Sequence, residues 1–265
     1  MIIVGELINA SRKAVGDAIK REDQDFIRKL AIDQAEAGAT YIDVNAGIFV
    51  GKEGHYMEWL IENIKAVTKL PCSVDSPDPK VIEQGLKLNG DDVMINSISL
   101  EKDRLDAILP LVAGTPYKIV ALCMDDEKMP ETTDQRLKIA DQLINKLVQN
   151  NVKLENIFVD PLVQPISTDK SYGMGFIDSV SEIMKTYQGI HTICGLSNIS
   201  YGLPERKFLN RNFAVMAIAK GLDGLLIDPL DKKMMSSICA AETLAGRDDF
   251  NVKYLKAYRK KMLEV

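Results

Sequence analysis

Short apolar runs rich in Val, Ile and Leu recur along the chain, separated by longer stretches in which apolar residues return every three or four positions. Eight runs read as strands: "IIVGELI" (2–8), "TYIDVN" (40–45), "LPCSVDS" (70–76), "DVMINS" (92–97), "KIVALCM" (118–124), "NIFVDP" (156–161), "TICGLSN" (192–198) and "GLLIDP" (224–229). The intervening stretches read as helices. In "DFIRKLAIDQAEAG", Phe26, Ile27, Leu30, Ala31, Gln34 and Ala35 keep helical spacing and Gly38 supplies a stop. In "SPDPKVIEQGLKLNG", Asp78 is the cap, Pro79 the first helical residue and Gly90 lies beyond the end. Eight strands, each followed by a helix, with no Pro-, Gly- or Ser-rich linker, predict an α/β chain folded as one (β/α)8 barrel domain over residues 1–265. An open doubly wound sheet would use fewer strands.

Parallel barrels carry their chemistry where the strands end, and here those ends are polar. Strand one ends near Glu6 and Asn9, strand two in Asp43 and Asn45, strand three in Asp75, strand four in Asn96, strand six in Asp160, strand seven in Ser197 and Asn198, strand eight in Asp228. Any one of these also reads as a helix cap or turn residue. As a ring they form a candidate site. No Lys ends a strand, so Schiff-base chemistry lacks its nucleophile. Carboxylates and carboxamides without a basic cluster suit a neutral ligand rich in N–H donors. A 2-amino-4-oxo pyrimidine edge sets an exocyclic amine beside a ring N–H, and one ionised Asp accepts from both. Asn96 answers a donor and an acceptor at once. Asp43, Asp75 and Asp160 also suit magnesium as oxygen ligands.

Composition narrows the class. With 46% hydrophobic and 27% charged residues and a net charge of -5, the chain reads as a soluble enzyme with no nucleic-acid or membrane partner. Met1 leads directly into "IIVGELIN", without a basic leader or a bilayer-long apolar run, which predicts a cytoplasmic protein. Cys72, Cys123, Cys194 and Cys239 form no C-x-x-C pair and read as small core residues. Only His55 and His191 are present, which argues against a multi-histidine zinc site, and both read as structural or solvent-exposed.

"VGELIN", "YIDVNAG", "CSVDS", "MINSIS", "IFVDPL" and "GLSNIS", six motifs in order at strand ends, resemble the pterin-binding methyltransferase family, closest to the methyltetrahydrofolate:corrinoid protein methyltransferases. The likeness runs from strand one to the helix after strand eight. It departs from the methyltransferases of the acetyl-CoA pathway around Gln164 and through "STDKSYGMG". The resemblance implies that Asp75, Asn96 and Asp160 hold the pterin ring, with Asp43, Gly195 and Ser197 in a supporting hydrogen-bond network. It places Asn198 at the pterin N5 and Arg206 near the outer part of the folate. Asn198 and Asp43 are then the candidate catalytic residues, and Glu6 and Asn9 join the substrate contacts.

What the resemblance implies is methyl transfer between tetrahydrofolate N5 (5-methyltetrahydrofolate when loaded) and the cobalt of a corrinoid (cobalamin). "ICGLSNIS" fits that chemistry because an amide strengthens its hydrogen bond to N5 as charge develops, yet donates no proton to reduced cobalt. Neither histidine lies in a D-x-H-x-x-G motif, so the corrinoid is expected on a separate partner protein. Related methyltransferases are homodimers, and a homodimer is expected here. Two readings compete. A dihydropteroate synthase-like enzyme would end strand eight in Arg-x-His for pyrophosphate, whereas this strand ends "LLIDP". A non-catalytic pterin- or corrinoid-binding module would bind without turnover.

Overall fold

Alternation with a period of two decides which side chains each strand sends inward. The computed structural model describes residues 1–264, and in it the eight runs form β1 (Ile2–Asn9), β2 (Tyr41–Asn45), β3 (Cys72–Asp75), β4 (Met94–Ile98), β5 (Lys118–Leu122), β6 (Ile157–Asp160), β7 (His191–Gly195) and β8 (Gly224–Ile227). They close into a parallel barrel in sequence order, with β8 pairing back onto β1. The helices are α1 (Lys13–Lys20), α2 (Gln24–Glu36), α3 (Glu53–Val67), α4 (Pro79–Asn89), α5 (Lys102–Val112), α6 (Thr133–Gln149), α7 (Tyr172–Thr186), α8 (Arg206–Ala219), α9 (Lys232–Leu244) and α10 (Val252–Arg259). The predicted (β/α)8 barrel is therefore the observed one. Two helices exceed the pattern: α1, which buries Val15, Ala18 and Ile19 ahead of α2, and α10, which follows α9.

The outward-facing strand residues Ile42, Val44, Val74, Ile95, Ile119 and Val159 are buried against the helices. The inward set splits into levels. Val4, Tyr41, Met94, Val120, Phe158 and Ile193 fill the middle of the lumen as one buried cluster. Two residues further along the same strands stand Glu6, Asp43, Asn96, Leu122, Asp160 and Gly195, so the polar ring caps an apolar plug. Toward the N-terminal end, the Tyr41 hydroxyl and Lys118 Nζ both donate to Asp92 Oδ1, at 3.0 and 2.9 Å. Nearby, His191 stacks on Phe158 at 4.6 Å and its Nδ1 lies 2.6 Å from Asp223 Oδ2. His191 is thus part of the barrel floor, and His55 is an exposed partner of Glu22.

Local signals explain the helix ends. Asp78 accepts from the Lys80 N–H, Pro79 opens α4, and Gly90 adopts φ +73° at its end, matching the sequence reading. In α2 the buried face is Ile27, Ala31 and Gln34, while Phe26 remains 38% exposed because it sits at the edge of that face.

The register of β1 against β2 shifts between Gly5 and Ile8. Gln34 Oε1 accepts from the Leu7 N–H at 3.1 Å within that irregular stretch. Gly5 makes room, since a Cβ there would stand 2.4 Å from Gln34 Oε1. The β3 strand, which carries Asp75, relies on a similar close approach: a Cβ on Gly85 of α4 would stand 2.8 Å from Val74 Cγ1. Gly85→Ala is expected to destabilise the fold by about 1–3 kcal/mol through overpacking. Urea unfolding checks this, and an unchanged midpoint would show that α4 shifts freely on β3.

Candidate active site

The last register row of β2, β3 and β4 aligns Asn45 with Asp75 and Asp75 with Asn96. Asn45 Nδ2 donates to Asp75 Oδ2 at 2.8 Å, while its Oδ1 accepts from the Gly47 N–H. One level deeper, Asp43 is 1% exposed, and its Oδ1 accepts from Ser73 Oγ at 2.8 Å and from Asn96 Nδ2 at 3.3 Å. A cavity of about 390 Å³ opens over this row, lined by Asp75, Asn96, Ser97, Arg104 and Leu122 among others. Leu122 is the register partner of Asp160 on β6. The predicted pair Asp75 and Asn96 therefore shares a cavity wall, and Asp160 joins the same level two strands away.

Burial dominates the electrostatics. It pushes the Asp160 carboxyl up to about 7, against the pull of the Leu162 and Gly195 backbone N–H groups. Burial, with the Asp75 charge second, holds Asp43 well above the usual carboxylate range, although Ser73 and Asn96 oppose it. Asp75 is raised by burial too, against the Asn45 hydrogen bond and the Arg104 charge. None of the three has a salt-bridge partner among the described residues. Carboxyls drawn from water and given no ion pair present acceptors to N–H donors.

The other side of the mouth is built differently. Glu6 Oε1 accepts from Arg12 Nη2 at 2.6 Å, and its carboxyl is raised by burial, lowered by Arg12 and raised again by Asp228. With Ser197, Lys207 and Asp228 these residues line a second cavity of about 180 Å³. Asn198 lies in the 3₁₀ turn Leu196–Ser200, exposed, with no side-chain hydrogen bond among the described residues. Its carbonyl accepts from the Tyr201 N–H, but its amide caps nothing. Gly195 ends β7 beside Asp160. Arg206 turns back to the same loop, donating to the Ser197 carbonyl at 2.6 Å and to Ser200 Oγ at 3.1 Å. Asn9 accepts from the Ser11 N–H and Oγ at the bend after β1, which is a turn-capping contact.

Among the described residues, no three His, Cys, Asp or Glu side chains are grouped to hold a metal, so Asp43, Asp75 and Asp160 do not form the oxygen cage that magnesium would need. Three supporting residues escaped the sequence reading: Ser73, Arg104 and Arg136. Arg136 is fully buried, donating to the Pro161 carbonyl at 3.0 Å and to Gln164 Oε1 at 2.5 Å in the loop that follows Asp160. Arg136 is a polar residue at a buried position of α6, a signal the sequence holds only once the helix face is known.

Residues 5–228 match the family described as pterin binding enzyme. A methylcorrinoid:tetrahydrofolate methyltransferase of Eubacterium limosum is 36% identical over 261 residues, covering 98% of this chain and 96% of that protein. The methionine synthase of Mycobacterium leprae is 30% identical over 241 residues, 86% of this chain but 20% of that longer protein. Among solved structures, a dihydropteroate synthase from Coxiella burnetii in complex with pteroic acid superposes with a TM-score of 0.71 at 17% identity, covering 92% of this chain and 93% of that one. A Yersinia pestis dihydropteroate synthase with a sulfonamide drug gives 0.72 at 14%, over 92% and 94% of the two chains. At such identities these structures establish the shared fold alone.

The raised Asp160 carboxyl has a consequence for stability. Between the ordinary carboxylate range and about 7, the folded protein holds a proton that the unfolded chain has released, so stability falls as pH rises through that window. Asp160→Asn cannot ionise. Its stability relative to the parent is expected to improve by about 3 kcal/mol between pH 4.5 and pH 8, read from denaturant midpoints without ligand. A pH-independent difference would show that Asp160 is ionised throughout.

Proposed function

The chain belongs to the family of pterin binding enzymes, and from that premise we propose that it transfers a methyl group between N5 of tetrahydrofolate and the cobalt of a corrinoid carried on a separate protein. The observation that carries this reading is the set of polar groups without an ion-pair partner among the described residues at one end of the lumen, Asp75 and Asn96 in one register row with Asp160 two strands on. Its chemistry matches a pterin: the 2-amine and the adjacent ring N–H need a carboxylate, and the 4-oxo group with its neighbours needs an amide that both donates and accepts. Asp43 and Ser73 hold Asn96 in place, and Asn45 leaves one oxygen of Asp75 for the ligand.

Asn198 supplies the group at N5. Its exposed amide, free of internal partners among the described residues, stands on the turn after β7, which supports that role. Ser197 and Gly195 shape that turn and its contact with Asp160, Arg206 braces it, and Glu6 and Asn9 border the mouth from β1. The corrinoid, brought by its own protein, supplies a cobalt that takes or gives the methyl group. The name of the Eubacterium limosum relative describes that traffic for that protein, and its similarity spans nearly all of both chains. The proposed setting is the cytoplasm and the proposed assembly a homodimer with each mouth free. No helix among the described residues is long and apolar enough to cross a membrane. For dihydropteroate synthesis, β8 would need a basic pair for pyrophosphate, but it leads into Asp228, whose carboxylate accepts from the Leu230 N–H.

Titration calorimetry with tetrahydrofolate tests the pocket. Asp75→Ala or Asp160→Ala is expected to weaken binding by about 2–4 kcal/mol and Asn96→Ala by about 1–2 kcal/mol. Because the ligand needs Asp160 ionised, affinity should hold above pH 7 and fall below it by up to about tenfold per pH unit. Unchanged affinity in both Asp variants would remove the pterin pocket.

Single-turnover methyl transfer between methyltetrahydrofolate and cobalt(I) cobalamin, followed by absorbance, tests the chemistry. Asn198→Ala is expected to transfer roughly 10²-fold more slowly or worse with a smaller loss of folate affinity, and Asn198→Asp to restore only part of the rate. Folate binding without any turnover in the parent protein would make the chain a pterin-binding module instead.

A further inference from the structure

Arg104 lies near the start of α5, away from every strand end, yet it lines the same cavity as Asp75 and Asn96. Its guanidinium enters no ion pair among the described residues. It is spent on backbone carbonyls: Nε donates to Ser97 O at 2.8 Å, Nη1 to Pro77 O at 3.0 Å and Nη2 to Ser76 O at 3.0 Å. Those carbonyls belong to two loops. Ser76 and Pro77 follow Asp75, and Ser97 follows Asn96. The β3–β4 pairing runs from Ser73 with Met94 to Asp75 with Asn96, so beyond that row the fork of Arg104 ties the two chains together.

Such an arrangement is costly unless something depends on it. Burial draws the guanidinium below its usual proton affinity, and neutral carbonyls compensate a buried cation less well than a carboxylate. The position is specific to arginine, whose planar fork presents several donors in fixed directions, whereas a lysine presents one compact ammonium. The Arg104 charge opposes the rise that burial and the Glu53 charge impose on the Asp75 carboxyl. Because its donors go to carbonyls, it does so without occupying the oxygens of Asp75.

We propose that Arg104 is the positioning residue of the pterin-reading edge: it fixes the separation of Asp75 and Asn96 by joining the loops that leave them. The inference rests on the pterin reading given above and adds to it a residue that touches no part of the expected ligand edge. A clamp of purely structural importance would lower the melting temperature and leave the ligand's affinity alone.

The test is calorimetric titration of the full chain with tetrahydrofolate at pH 8, with melting temperatures, for the parent, Arg104→Lys, Arg104→Gln and Asp75→Ala. Arg104→Lys keeps the charge and loses the fork; Arg104→Gln loses both. Both are expected to bind at least about tenfold more weakly at pH 8, because a small displacement of either acceptor spoils a two-point contact. Parent-like affinity in Arg104→Lys overturns the positioning role whatever the glutamine variant does. Full affinity in Asp75→Ala would mean that the pterin reading itself has failed, whereas weak binding by Asp75→Ala with parent-like binding by both Arg104 variants sinks the Arg104 proposal alone.

Discussion

Three carboxyl groups, Asp43 buried and Asp75 and Asp160 half-buried, are drawn from water by the barrel and given no ion-pair partner among the described residues, and much of the site's architecture follows from that constraint. A desolvated, unpaired carboxylate costs several kcal/mol, which the protein meets by raising the proton affinity of the carboxyls and by aiming neutral donors at them. Hence the companions of the ring are amides, hydroxyls and backbone N–H groups: Asn45, Asn96, Ser73, Leu162 and Gly195. A ligand that brings N–H donors into this lumen matches the acceptors of the ring. The apolar plug of Val4, Met94, Val120, Phe158 and Ile193 beneath the ring keeps water from reaching them from below.

Two arginines show how the constraint is maintained. Arg104 and Arg136 each stand behind a loop that leaves a ring carboxylate, and each directs its guanidinium to carbonyl or amide oxygens. Had either paired with Asp75 or Asp160, that carboxylate would be ionised but occupied. By bonding to the backbone instead, the cations hold the loops and leave the acceptors open. The opposite side of the mouth follows the other logic, with Glu6 held by Arg12 and Asp231 by Lys207 in partly exposed ion pairs. The mouth is therefore divided between open acceptors and satisfied charges.

The amide of Asn198 belongs to neither half. It stands on a short 3₁₀ turn whose shape is kept by Arg206 and by the Ser167 hydroxyl bonded to the Tyr201 carbonyl. In the proposed reaction, a neutral, exposed donor and acceptor on this turn would separate hydrogen bonding from proton transfer. That separation suits a transfer between nitrogen and a reduced metal, where a strong acid at the reacting atom would be harmful.

By itself, the sequence determined the strand count, the helix between successive strands and the residues that end each strand, because these depend on local periodicity and on caps such as Asp78, Pro79 and Gly90. It also showed a polar ring at the strand ends, from which the resemblance to a known family singled out Asp75, Asn96 and Asp160. What only the tertiary structure decided involves partners far apart in the chain. Gln34 looks like one more residue of an amphipathic helix until α2 meets the register shift in β1. Arg104 and Arg136 look like surface charges until α5 and α6 pack against the loops after β3, β4 and β6. The raised carboxyls are likewise invisible in the sequence, because desolvation belongs to no residue type and arises only when the barrel has closed.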